Sequence, residues 1–240
     1  MTDVSRETSP GPLQHLIASC GRLGIALPAG AAGWLVALLD RIALEPQNLT
    51  TIDDPIEAVE RHLLDSLCAL GLPEIAHADR IIDIGSGAGF PGLALAVARN
   101  DAEVTLVESE RRKADWLRRA SEDRSNVRVV DDRSESFARR ERELCDVVTA
   151  RAVAPLASTL ELAAPLVAVG GVVVVWRGPD TAEEAAAASA AMALGLGDAH
   201  VTVTHPFAGA SRRLLTYPKL SPTPDRYPRR PGRATKRPIA

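Results

Sequence analysis

Four glycines fall within eight positions of the segment RIIDIGSGAGFPG (residues 80–92), directly after a short apolar run carrying one acid, Asp83. Glycine at this density lets backbone approach a ligand closely. Two cofactor classes use such a turn: a dinucleotide through its pyrophosphate, or S-adenosylmethionine, whose sulfonium and ammonium groups are cationic. Gly85, Gly87 and Gly89 spell G-x-G-x-G, whereas Gly87, Gly89 and Gly92 spell G-x-G-x-x-G. Register against the apolar run separates the two. A dinucleotide fingerprint starts at the glycine that leaves the strand, here Gly85, and from that start its last glycine position holds Phe90. Asp83 would repel a phosphate and suit an ammonium. Pro91 removes a backbone N–H from the opening of the next helix, where an anion site needs donors. The loop therefore favours S-adenosylmethionine. Glu108, nineteen residues beyond Gly89, is placed to accept hydrogen bonds from ribose hydroxyls, which both classes carry. A glycine turn without a ligand is the plain alternative.

These residues need a frame whose strands end at a common edge. From Arg80 onward the chain alternates: RIIDI, EVTLVES, NVRVVDD, CDVVTARA and GVVVVWRG read as strands. PGLALAVARN, RRKADWLRRASE, SESFARR, PLASTLELAAPLV and DTAEEAAAASAAMAL read as helices. Repeated βα units predict an α/β fold with a mostly parallel sheet covered on both faces. HVTVTH and RRLLTYPK, joined by PFAGAS, predict an antiparallel pair. Ahead of the sheet, residues 13–45 predict two or three short helices broken around LPAGAAG. DDPIEAVERHLLDSLCAL predicts another helix, with Asp53 or Asp54 as its cap and Pro55 at its first position. The expected division is a disordered start over 1–12, a helical region over 13–78, a sheet domain over 79–219 and a basic Pro/Arg-rich tail over 220–240 without secondary structure.

Composition sets bounds. A chain of 240 residues that is 46% hydrophobic can bury a sizeable core. It holds no uncharged apolar run long enough for a membrane span, and its first residues lack the pattern of a secretory signal. Cys20, Cys68 and Cys145 fit neither a metal spacing nor a disulfide framework and read as reduced thiols of a cytoplasmic protein with no metal. The net charge of −3 is uneven: from Arg212 onward there are nine Lys or Arg and one acid, Asp225. A basic terminus on an acidic body suits a polyanion such as nucleic acid, or simply a solvated tail.

Five further stretches carry a resemblance. QNLT (47–50), RHLLDS (61–66), LVES (106–109), DRSESF (132–137) and ARAVAPL (150–156), together with DIGSGAGFPGLALA (83–96), resemble the ribosomal RNA small subunit methyltransferase G family, also called glucose-inhibited division protein B. RHLLDS and GFPG are the specific pieces; the glycine loop alone is generic. The resemblance implies the class I S-adenosylmethionine-dependent methyltransferase fold, a Rossmann-like and mostly parallel seven-stranded sheet with its last strand antiparallel and a small N-terminal helical region. It implies 16S ribosomal RNA, free or in a small-subunit particle, as partner, and methylation of N7 of the guanine at position 527. Cofactor contacts carry over to Gly85, Phe90, Ser134, Glu135 and Arg151, beside Asp83, Gly87 and Glu108 of the loop reading. For Arg151 the structural alternative is a buried ion pair, and for Glu135 a helix cap. RNA contacts carry over to Asn48, His62 and Arg212, with Arg133 and Arg213 as neighbouring cations. Where family members often carry Lys or Tyr before NLT, this chain has EPQ.

Guanine N7 offers a free lone pair at neutral pH, so attack on a methyl carbon needs no general base, and no catalytic acid or base is assigned. The work expected of the protein is in-line positioning and partial dehydration of the reactants. TARAVAPL follows the fourth strand, and no Asn-Pro-Pro-Tyr motif of exocyclic-amine methyltransferases stands there. Two other classes fit parts of the pattern: a nicotinamide-dependent oxidoreductase, and a non-catalytic RNA-binding protein on the same fold. Binding of S-adenosylmethionine against NADH separates the first.

Overall fold

The computed structural model describes residues 10–239. Residues 1–9, most of the expected disordered start, lie outside the described residues, and the first helix already begins at Pro12. Helices α1 (Pro12–Arg22) and α2 (Ala31–Leu44) lead into a broken helical run: α3 (Pro55–Ala58), a π-helical turn (Val59–Leu64), α4 (Asp65–Leu67), a 3-10 turn (Cys68–Gly71) and α5 (Pro73–Ala76). Then come β1 (Arg80–Ile84), α6 (Gly92–Ala98), β2 (Glu103–Glu108), α7 (Arg111–Ala120), β3 (Val127–Asp131), α8 (Ser134–Arg140), β4 (Cys145–Arg151) and α9 (Leu156–Ala163). The chain continues as β5 (Val167–Arg177), α10 (Glu184–Ala193), β6 (His200–Thr204), β7 (Arg212–Pro218) and α11 (Arg233–Lys236).

Seven strands form one sheet in the order β3-β2-β1-β4-β5-β7-β6. β1 to β5 pair in parallel, and β7 runs antiparallel between β5 and β6, as the α/β reading and the short PFAGAS connection predict. The runs IIDI in β1 and VVVVW in β5 are buried throughout, which is what strands covered on both faces require. One face is covered by α1, α2, the broken run, α6 and α7, whose Leu16, Leu35, Leu63 and Leu95 share a core with Ile81 and Val174. The opposite face carries α8, α9 and α10, with Phe137, Leu160 and Ala187 packed on Ile82, Ile84 and Val173. Each fully buried Leu or Phe contributes roughly 1.5–3 kcal/mol.

Two local expectations are corrected. The helix over DDPIEAVERHLLDSLCAL is capped as predicted, the Asp54 carboxylate accepting from the Glu57 amide at 2.8 Å, but it widens to a π-helical turn at Val59. The apolar spacing of VERHLLD suits either ladder, so only packing decides between them. The Pro/Arg-rich stretch is not free of structure. It folds back on the α8–α9 face, burying Tyr227 and Ala234 and ending in α11. Arg142 donates to the carbonyls of Tyr227 (2.8 Å) and Thr223, and Ser158 donates to the Ala234 carbonyl at 2.9 Å. Arg229 pairs with Glu161, which is wholly buried on α9. Composition alone registers the charges and prolines of this stretch, not the carboxylate and carbonyls waiting for it.

Candidate functional site

The glycine turn is built by hydrogen bonds between adjacent strands. Gly85 N–H donates to the Val107 carbonyl at the end of β2 (2.8 Å), and the Ser86 hydroxyl donates back to the Asp83 carbonyl (2.9 Å). Gly85 sits at φ +65°, and a methyl group there would lie 3.0 Å from Cγ2 of Val153, so both conformation and space demand glycine. Gly92 opens α6 so close to the sheet that a Cβ would overlap Leu106 Cδ2. Glu108 braces the turn: one carboxylate oxygen accepts from the Gly87 amide (2.9 Å), the other from the Glu110 amide (2.7 Å).

Asp83 requires a correction. Its side chain is wholly buried, accepting from the Thr149 hydroxyl on β4 (2.8 Å) and from the Gly92 amide (3.2 Å). The carboxylate therefore lies beneath the turn and is closed to any ligand ammonium. Alternation along β1 explains this: Ile82 and Ile84 face α8 and α9, so Asp83 faces α6. Burial raises its pKa from the ordinary carboxylate value to about 6, against the lowering effect of Thr149, Ser86 and Gly92.

Above the turn lies a cavity of about 170 Å³. Gly85, Val107, Val153 and Leu162 give it apolar walls, while Asp132, Arg133, Ser134 and Glu135 supply its polar rim. Four of the residues expected to meet the cofactor or RNA thus come together at the carboxyl edge of the sheet, where open α/β sheets bind ligands. The space suits one flat heterocycle with polar edges, as the adenine of S-adenosylmethionine is. Glu108 does not line the cavity; both of its carboxylate oxygens are engaged by backbone amides of the turn and of Glu110. Glu135 does not cap its own helix; its carboxylate reaches across to accept from the Gly232 amide at 2.8 Å. Thr235 of α11 closes one side of the cavity, so the C-terminal segment is part of its wall.

A second cluster forms where the broken helical run meets β4 and β7. The His62 and Phe90 rings stack with centroids 4.9 Å apart and planes 6° from parallel, and the Arg151 guanidinium lies 5.7 Å from the Phe90 ring centre. Asp65, 3% exposed, pairs with Arg151 at 2.9 Å and also with Arg212. One carboxylate thus holds two guanidiniums, leaving the cluster net positive. The His62 pKa is lowered to about 4, chiefly by burial and then by Arg151, with Asp65 opposing, so the ring is neutral at physiological pH. Its Nε2 lies 2.8 Å from the Thr50 hydroxyl, which ties the loop after α2 to the stack, and its buried Nδ1 has no partner among the described residues.

The remaining expectations divide. Asn48 is exposed on that same loop. Arg133 is exposed at the cavity rim. Arg213 is corrected away from any joint phosphate site with Arg212: neighbours in a strand point to opposite faces, and Arg213 forks onto Glu184 of α10. Sequence reasoning missed Asp65 as the hub, though it stands three residues after His62. It also missed Thr149, whose signal is a lone hydroxyl in the apolar run CDVVTARA. All three cysteines are buried and unpaired in disulfides.

Residues 35–214 match a family model described as rRNA small subunit methyltransferase G. The ribosomal RNA small subunit methyltransferase G of Chloroflexus aggregans is 42% identical over 197 residues, covering 80% of this chain and 82% of that one. The protein of that name from Roseiflexus castenholzii is 43% identical over 198 residues, covering 80% and 84%. Among solved structures, a predicted O-methyltransferase from Agrobacterium tumefaciens superposes with a TM-score of 0.52 at 28% identity, covering 66% of this chain and 80% of that one. The S-adenosylmethionine-dependent methyltransferase SibL superposes with a TM-score of 0.53 at 16% identity, covering 88% and 74%.

Proposed function

The chain belongs to the rRNA small subunit methyltransferase G family, and from that membership we propose that it transfers the methyl group of S-adenosylmethionine to N7 of one guanine, that at position 527, in 16S ribosomal RNA. The observation that carries the reading is the pairing of two features at one sheet edge: the glycine turn with its small cavity, and beside it the His62–Phe90–Arg151 cluster.

When bound, S-adenosylmethionine supplies an electrophilic methyl on a sulfonium. Val107, Val153 and Leu162 would flank its adenine, and Ser134 and Glu135 its polar edge. The protein's own residues then have a positioning task. His62 stays neutral and serves as a flat wall rather than a proton carrier, which fits a reaction that removes no proton from N7. Arg151 and Arg212, sharing one carboxylate, are left with donors for a phosphate of the incoming strand. Phe90 fixes the edge between cofactor cavity and cluster, and exclusion of water there favours attack by a partly dehydrated base. A guanine reached this way must stand outside a continuous A-form helix, because N7 lies in the deep, narrow groove.

The test is methyl transfer from labelled S-adenosylmethionine to small-subunit RNA or particles from cells lacking this gene, followed by mass mapping of modified nucleosides. One N7-methylguanosine at the proposed position is the expected result. Modification of another atom, or none with either substrate, overturns the reading.

A further inference from the structure

We propose that the docked C-terminal segment and the carboxyl end of α8 form a second RNA contact, an arginine-lined cleft that grips the phosphodiester backbone outside the methylation site. The proposal rests on the ribosomal RNA reading above for the identity of the polyanion. The cleft has a volume of about 620 Å³ and is lined by six arginines and one acid, Asp225. The arginines divide by task. Arg142 and Arg229 build the cleft, the first holding carbonyls of the segment and the second locked onto buried Glu161. Arg139, Arg226, Arg230 and Arg233 are exposed and have no carboxylate partner among the described residues; Arg226 only leans on the Tyr227 ring at 5.2 Å.

That contrast carries the argument. Several other surface arginines are neutralised by acids, Arg118 by Asp115, Arg128 by Glu141, Arg140 by Asp132 and Arg213 by Glu184, whereas four unpaired ones line this single concavity. Four unpaired guanidiniums against the single carboxylate of Asp225 leave the lining net positive and focus positive potential into the concavity. The planar fork of each matches two oxygens of a phosphate, and several forks spaced along a cleft match successive phosphates of a strand. One wall of the cleft is fixed by the pairing of Arg229 with buried Glu161. Its Arg139 and Arg142 stand at the carboxyl end of α8, while its Arg233 follows Gly232, whose amide donates to Glu135, so the cleft adjoins the wall of the cofactor cavity.

The experiment compares the full chain with R226A/R230A and R226K/R230K, reading affinity for a small-subunit ribosomal RNA transcript between 50 and 200 mM KCl. S-adenosylmethionine affinity and thermal unfolding are measured alongside. Loss of two phosphate contacts predicts a roughly tenfold weaker complex and a log–log salt slope shallower by about 1.5 for the alanine pair. The lysine pair should keep most of the slope, and cofactor affinity should stay unchanged in both. An unchanged slope in the alanine pair overturns the proposal, as does parallel loss of RNA and cofactor binding, which would make these arginines structural. Failure of the wild-type chain to methylate the RNA would instead overturn the functional reading and leave the slope comparison readable.

Discussion

The Asp83 carboxylate and the Thr149 hydroxyl meet at 2.8 Å across paired positions of β1 and β4, beneath the glycine turn and out of reach of solvent. With the Gly92 amide on its other oxygen, Asp83 joins two central strands to the start of α6. Its charge shapes the turn from below, and its raised pKa makes the joint sensitive to acid in an unusual direction.

Folding raises the Asp83 pKa from 3.8 to about 6, so the native state binds a proton more readily than the unfolded chain. The stabilisation is complete below about pH 4 and is lost as pH rises through 6. Relative to D83N, whose amide can accept from Gly92 and donate to the Thr149 oxygen, the wild type should gain up to about 3 kcal/mol as pH falls from 7 to 4. Urea unfolding of both proteins across that range checks it; parallel curves would show that the carboxylate does not titrate in the fold.

Gly85→Ala combines a left-handed backbone with contact on Val153, and should cost about 1–2 kcal/mol of stability from the backbone alone. Because the displaced Val153 lines the cavity, S-adenosylmethionine affinity measured by calorimetry should fall at least tenfold. Adding V153A should relieve the contact and recover part of the affinity, while the conformational cost stays.

His62 protonates only near pH 4, so wild-type methyl transfer should show no inflection from this ring between pH 5 and pH 8, and H62F should share its pH profile. Stability behaves differently. The unfolded histidine takes a proton from about 6.5 downward while the native one resists it, so wild type should lose stability relative to H62F as pH falls from 6.5 to 4. A rate inflection near 6.5 present in wild type and absent in H62F would mean that the stacked ring titrates.

Arg229→Ala strands the wholly buried Glu161 without its partner, and should destabilise the fold by about 3–5 kcal/mol. The double variant E161M/R229M should recover much of that loss, because an apolar pair of similar bulk replaces the ions. Chemical denaturation of the two proteins decides it; equal losses would mean the segment is held by other contacts.

The sheet was legible because its strands are valine- and isoleucine-rich runs separated by helical spacing, and the antiparallel end because PFAGAS is too short for a crossover. The glycine turn and its position at the carboxyl edge were legible for the same reason. What alternation along a strand could have added was overlooked. It turns Asp83 away from the cavity, and it sends Arg212 toward Asp65 and Arg213 toward Glu184. The π-helical turn was not legible, since a residue of extra width leaves the apolar spacing almost unchanged. Nor was the docking of residues 220–239, whose anchors Glu161, Glu135 and the carbonyl-seeking Arg142 lie some seventy to a hundred positions upstream.

The place of β7 bears on how the chain is made. Synthesis delivers β6 before β7, yet β6 has no strand to pair with until β7 slides between it and β5. A nascent polypeptide stopped before residue 212 would expose the open flank of β5 to chaperones and proteases. Ribosomes that stall late on this message should therefore yield degraded fragments rather than partly active enzyme.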